Sequence, residues 1–161
     1  MRIKNPSIWW VWILFTAVLF IPGPGGARDL NKVQEIDIEG LDRIISGKGR
    51  YLLVFMAAWC TPCIKELPDV NALYENYRER GLNMVGISVD FEGPAAIQPI
   101  VDRLKVNFPV YWLGEAAMDA YSIRGIPFFI FIKNGEIVER LLGQRSKNFL
   151  DKKIEAFLVH P

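Results

Sequence analysis

Histidine is almost missing from this chain: the single one, His160, stands next to the C-terminus. That scarcity argues against histidine acid–base catalysis and against histidine-ligated metal sites. Cysteine is nearly as scarce. There are two in 161 residues, and both fall in one Cys-x-x-Cys, Cys60 and Cys63. Zinc usually takes four N or S ligands, so this pair and His160 do not complete a site; no resident metal or other cofactor is expected. An excess of one charge is missing too. The 19 basic and 18 acidic side chains provide neither the basic footprint of a nucleic-acid binder nor an acidic tail. Repeats and low-complexity tracts are absent. What remains is a chain with 51% apolar and 23% charged residues, suited to one packed domain with an appendage.

The appendage comes first. Arg2 and Lys4 are the only charges before residue 28, and they precede an apolar run from Ile8 to Ile21 and then Pro22-Gly23-Pro24-Gly25-Gly26-Ala27. A basic start, a short apolar stretch and small residues at Gly25 and Ala27 have the layout of a secretory signal cleaved after Ala27. The run is shorter than the roughly 20 residues that span a bilayer. Trp9, Trp10 and Trp12 near its start suit a membrane interface and so an uncleaved anchor. Residues 1–27 are therefore read as a signal peptide or a membrane anchor, both open. Either places a domain over 28–161 outside the cytoplasm.

An exported protein with two cysteines can simply carry a structural disulfide. Such a staple stabilises more as the loop it closes lengthens, and a loop with two intervening residues is a poor one. The spacing points to redox chemistry instead. Tyr51–Met56 is a continuous apolar run, read as a strand buried on both faces, and a helix is expected from Cys60 to about Arg80. A helix N-terminus offers free N–H groups and partial positive charge, which stabilise a Cys60 thiolate. Cys63, one turn in, is expected to be more buried and to attack second. Pro62 stiffens the first turn without removing a needed donor, whereas Pro68 predicts a kink.

The rest of the chain alternates strands and helices. Strands are expected at Val33–Ile38, Met84–Val89, Pro109–Leu113, Phe128–Ile132 and Ile137–Leu142. Short helices are expected at Leu41–Ile45, Pro94–Lys105 and Ala116–Ser122. Asn134-Gly135 between two apolar runs marks a hairpin. Ser146 is read as the cap of a last helix that buries Phe149, Leu150, Ile154 and Phe157. The outcome is an α/β domain: a central mixed sheet, parallel at first and closed by an antiparallel hairpin, flanked by helices.

Ala58-Trp59-Cys60-Thr61-Pro62-Cys63 resembles the thioredoxin-family active site, and Lys65-Glu66-Leu67-Pro68 narrows the likeness to the exported TlpA/ResA-like branch. Val85-Gly86-Ile87-Ser88-Val89-Asp90, Phe108-Pro109-Val110 and Tyr121-Ser122-Ile123-Arg124-Gly125-Ile126-Pro127 match in the same order, from about residue 33 onward. The resemblance implies a thioredoxin fold with an extra β-α insertion. It implies a cis Pro127 packed against the redox pair, and an Ile126 main chain lying beside the substrate cysteine. Ordinary thioredoxins carry an aspartate where this chain has Val54. The branch instead carries a glutamate at the place of Glu66, which shares a helix face with Cys63 and would move protons during exchange. Trp59 is expected to shield the site or to pack in the core. Phe128 stands where the family commonly has threonine, which suggests a more apolar partner groove.

The implied activity is thiol–disulfide exchange with protein disulfides, apocytochrome c among the candidate clients, and with a membrane thiol as electron donor. The uncharged Thr61-Pro62 pair leans toward reduction, with an oxidase or isomerase as the alternative. Two further readings are weaker. A peroxiredoxin-like peroxidase lacks its Pro-x-x-x-Thr-x-x-Cys context here, since Leu53–Cys60 reads Leu-Val-Phe-Met-Ala-Ala-Trp-Cys. A metal-binding module would have to hold its ion on two thiolates.

Overall fold

A computed structural model of the chain describes residues 32–159. The expected signal or anchor at 1–27 lies outside the described residues. Among these no helix is long and apolar enough to cross a membrane.

Six strands form one sheet: β1 (Gln34–Glu35), β2 (Arg50–Met56), β3 (Leu82–Ser88), β4 (Val110–Trp112), β5 (Phe128–Lys133) and β6 (Glu136–Leu142). Their spatial order is β1-β4-β3-β2-β5-β6, with β2 parallel to β3 and antiparallel to β5. The continuous apolar runs behave as read. Leu52–Met56 and Phe128–Ile132 are buried throughout because helices cover both faces of the central strands. Five helices accompany the sheet: α1 (Ile38–Ile45), α2 (Thr61–Tyr77), α3 (Pro94–Arg103), α4 (Ala116–Ala120) and α5 (Lys147–Val159). Asn134 and Gly135 both take positive φ, as a type I′ hairpin requires, and join β5 to β6.

The strand expected over Val33–Ile38 is largely replaced. Asp37 caps a helix instead, its carboxylate accepting the Gly40 N–H at 2.7 Å, so α1 starts at Ile38 and only Gln34–Glu35 pair with β4. The helix expected from Cys60 to Arg80 is α2 followed by a 3-10 turn, Arg78–Arg80, and Gly81 ends it with φ 91°. Pro68 does not interrupt α2; it lies on the exposed side. Phe149 is also corrected. It is 40% exposed and lies under the Arg145 guanidinium, while Leu150 and Ile154 carry the buried face of α5.

Two features fix α2 in place. Its inner face, Cys63, Glu66, Leu67, Val70, Leu73 and Tyr77, is buried at helical spacing. At the far end, Tyr77 Oη lies 2.9 Å from Asp151 Oδ1 and 3.1 Å from Glu155 Oε2 of α5. Arg80 closes this cluster with paired hydrogen bonds to Glu155 at 2.9 and 2.8 Å. The centre of the sheet needs a glycine at Gly86. A Cβ there would sit 2.9 Å from Met56 Cε and 3.1 Å from Phe108 and Val110.

Candidate active site

The site is built where β2 ends. Ala57–Trp59 leave the strand, and Cys60 becomes the N-cap of α2, with Thr61 and Pro62 exposed in its first turn. Cys60 and Cys63 are joined in a disulfide with S–S 2.03 Å and Cα–Cα 5.3 Å. Cys60 Sγ accepts the Cys63 N–H at 3.3 Å, which is how a helix start satisfies one of its free donors. No carboxylate lies in the first turn of α2 to offset its partial positive charge, so negative charge on Cys60 is favoured there. Both cysteines are buried, Cys63 slightly more than Cys60.

The other sequence candidates fall into two groups around this pair. The Ile126–Pro127 peptide is cis, the conformation the resemblance implied. β5 pairs with β2 up to Phe128 opposite Phe55. Pro127 immediately precedes Phe128, so the cis turn lies at the end of β2 that leads into the Cys-x-x-Cys loop. Phe128 turns the other way. It is buried edge-on against Phe55 and adds nothing to a partner groove, contrary to expectation. Val54 is buried in β2, leaving no ionisable group at that position.

Glu66 lies one turn beyond Cys63 and is 3% exposed. Its Oε1 accepts the Arg145 N–H at 2.8 Å, while its Oε2 is buried without a hydrogen-bond partner. Burial raises the carboxyl from its usual 4.5 to about 7, against the pull of the Arg145 N–H and charge, with nearby Asp69 adding to the rise. A half-protonated carboxyl of this kind can take or give a proton near neutral pH.

Two contributors were not singled out from sequence. Asp90, 2% exposed, follows β3 and holds the active-site loop from behind. Its carboxylate accepts the Ala58 N–H at 2.9 and 3.1 Å and the Ser88 hydroxyl at 2.8 Å. The Trp112 indole N–H adds a 2.7 Å bond to the Asp90 carbonyl. Phe91, the next residue, stacks on Trp59 with centroids 6.0 Å apart and planes 8° from parallel. Trp59 is 56% exposed, so the core-packing alternative for it is excluded. Asp90 had two sequence signals, its place at the end of a buried strand and in the motif Val85–Asp90, but neither gave it a role; for Phe91 there was none.

Asp90→Ala would leave the Ala58 N–H and the Ser88 hydroxyl without acceptors in the interior. It is expected to lower stability by about 2–3 kcal/mol in urea unfolding. Asp90→Asn, which keeps an acceptor for Ala58, is expected to lose less than half of that.

A dithiol–disulfide pair at the start of a sheet-packed helix, opposite a cis-proline turn, defines a thioredoxin-fold redox protein. Known proteins agree. A family profile described as the AhpC/TSA family matches residues 30–141. The thiol–disulfide oxidoreductase ResA of Bacillus cereus is 33% identical over 71% of this chain and 68% of its own length. That of Halalkalibacterium halodurans is 33% identical over 84% of this chain and 77% of its own. Among solved structures, a thiol:disulfide interchange protein of the thioredoxin family from Chlorobium tepidum superposes with a TM-score of 0.63 at 27% identity, covering 73% of this chain and 84% of that one. The chain belongs to the AhpC/TSA family, within the thioredoxin superfamily and alongside the ResA oxidoreductases. Its activity is that of a protein thiol–disulfide oxidoreductase.

Proposed function

We propose that this oxidoreductase reduces protein disulfides outside the cytoplasm. In the reduced protein the Cys60 thiolate attacks a client disulfide. An S–S bond forms between Cys60 and the client, and the second client sulfur leaves as a thiolate. Cys63 then loses its proton to Glu66 and attacks Cys60 Sγ. The remaining client sulfur departs, and the Cys60–Cys63 disulfide closes. Two electrons pass to the client, and a membrane thiol donor restores the dithiol. Trp59, Thr61, Pro62, Ile126 and Pro127 form the surface that meets the client. Apocytochrome c, whose cysteines must be reduced before haem attachment, is the client suggested by the family resemblance. The segment 1–27 would carry the domain across the membrane and, if uncleaved, hold it there.

The direction rests on the absence of a charged side chain between the cysteines. The hydrogen bond to Cys60 comes from a main-chain N–H, and the residues between the cysteines, Thr61 and Pro62, bring no charge. Strong oxidants of this fold owe their power to a stabilised reduced form. Equilibration in thiol redox buffers, with free thiols counted by alkylation and mass, measures the outcome. The midpoint is expected closer to about −270 mV than to about −120 mV. A midpoint at the less negative end would make the protein an oxidase or isomerase acting through the same residues.

A further inference from the structure

Large apolar side chains on the surface of a soluble domain are usually scattered singly. Trp59 and Phe91 break that pattern. They are 56% and 66% exposed, come from segments 32 residues apart in sequence, and still stack nearly parallel at 6.0 Å. Their arrangement is set from behind. Ala58, the residue before Trp59, gives its N–H to Asp90, the residue before Phe91. Both rings are therefore tied to one buried knot, which Ser88 and Trp112 complete.

The sheet order then locates the pair relative to the reacting sulfur. β2, which leads to Cys60, lies between β5 and β3. The Ile126–Pro127 turn flanks the mouth on the β5 side, and Asp90–Phe91 flanks it on the β3 side. The two flanks are about 10 Å apart, two strand spacings, which an extended chain crosses in about three residues. A client whose cysteine lies over Cys60 thus brings a residue one or two positions away onto the rings.

We propose that Trp59 and Phe91 form a two-ring platform that selects clients carrying an aromatic or large aliphatic residue one or two positions from the reacting cysteine. The occupant is an extended segment of client polypeptide, because the platform is continuous with the mouth at which the mixed disulfide forms. This rests on the proposed reductase reading. An added ring-on-ring contact, desolvated on docking, favours such clients about five- to tenfold.

The test uses pre-reduced protein, freed of reductant, in single turnover with two symmetric peptide disulfides. Each is a pair of short single-cysteine peptides joined by one S–S bond, with either Phe or Gly two positions to each side of the cysteine. Each turnover converts the protein dithiol to its disulfide and releases two peptide thiols. The wild-type protein is expected to reduce the Phe peptide about five- to tenfold faster than the Gly peptide. Phe91→Ala should bring that ratio to within about twofold of one, and Phe91→Tyr should keep it. A wild-type ratio near one, or a Phe91→Ala protein that keeps the wild-type ratio, overturns the platform and leaves the reductase standing. Failure to reduce either peptide overturns the reductase reading, and the platform with it.

Discussion

Cells that make the Cys63→Ser variant are expected to accumulate it covalently joined to its clients through Cys60. The adduct should disappear on reduction and should not form in the Cys60→Ser, Cys63→Ser double variant. The proposed roles follow from position: Cys60 caps α2, its sulfur accepts a helix N–H, and it is the less buried residue of the pair, which favours it as the thiolate that meets the client first. Once Cys63 is removed, nothing at the site is placed to break the mixed disulfide, and the intermediate persists. Cys60→Ser should instead lower turnover of a protein disulfide about a thousandfold or more, since a serine hydroxyl is not ionised at neutral pH. Non-reducing electrophoresis followed by mass identification of the partners reads both variants. Clients trapped through Cys63 in the Cys60→Ser protein would reverse the assigned roles.

The second large effect is a pH dependence carried by Glu66. Its carboxyl titrates near 7 in the folded protein against an ordinary 4.5, because burial disfavours the charged form. Between those values the native state holds a proton that the unfolded chain has released. Stability is therefore greatest below the ordinary value, falls as pH rises through the window, and levels off above about 7. The loss is on the order of 2–3 kcal/mol. Urea unfolding of the oxidised protein at pH 5 and pH 8 should show this drop in the wild type and most of it gone in Glu66→Gln. The glutamine keeps an acceptor for the Arg145 N–H and does not ionise. Equal slopes in the two proteins would mean that Glu66 is not the titrating group. On the proposed mechanism the same variant should slow resolution by Cys63 at least about tenfold at pH 7, because the thiol would lose the carboxylate assigned to take its proton.

The parts of this molecule that could be read in advance are those written into contiguous residues. The apolar runs at Tyr51–Met56 and Phe128–Ile132 declared fully buried strands, and Asn134-Gly135 declared the turn. Cys60, Cys63, Glu66 and Pro127 came from a short spacing and an ordered set of motifs. The misreading at Val33–Ile38 has a local cause. Alternating polarity is also what a chain shows just before a helix when an aspartate such as Asp37 caps it. Long-range partnerships left no trace. Ala58 meets Asp90 across 32 residues, and Glu66 meets the Arg145 N–H across 79. The second of these uses a main-chain donor, so side-chain identity carried no signal. Trp59 and Phe128 show the same limit in opposite senses. One aromatic beside the site lies on the surface and the other in the core, a choice made by strand direction and the packing around Phe55.

The anchoring of α2 at its far end bears on how partners recognise this protein. A dithiol shuttle alternates between two covalent forms, and a helix free to swing would give each form its own outline. Here Tyr77 and Arg80 fasten the helix to Asp151 and Glu155, and its inner face is locked into the core. Tilting as a body would break that cluster, so the anchoring favours a change confined to the first turn. On the proposed exchange, partners would then tell the two forms apart at that first turn and its sulfurs.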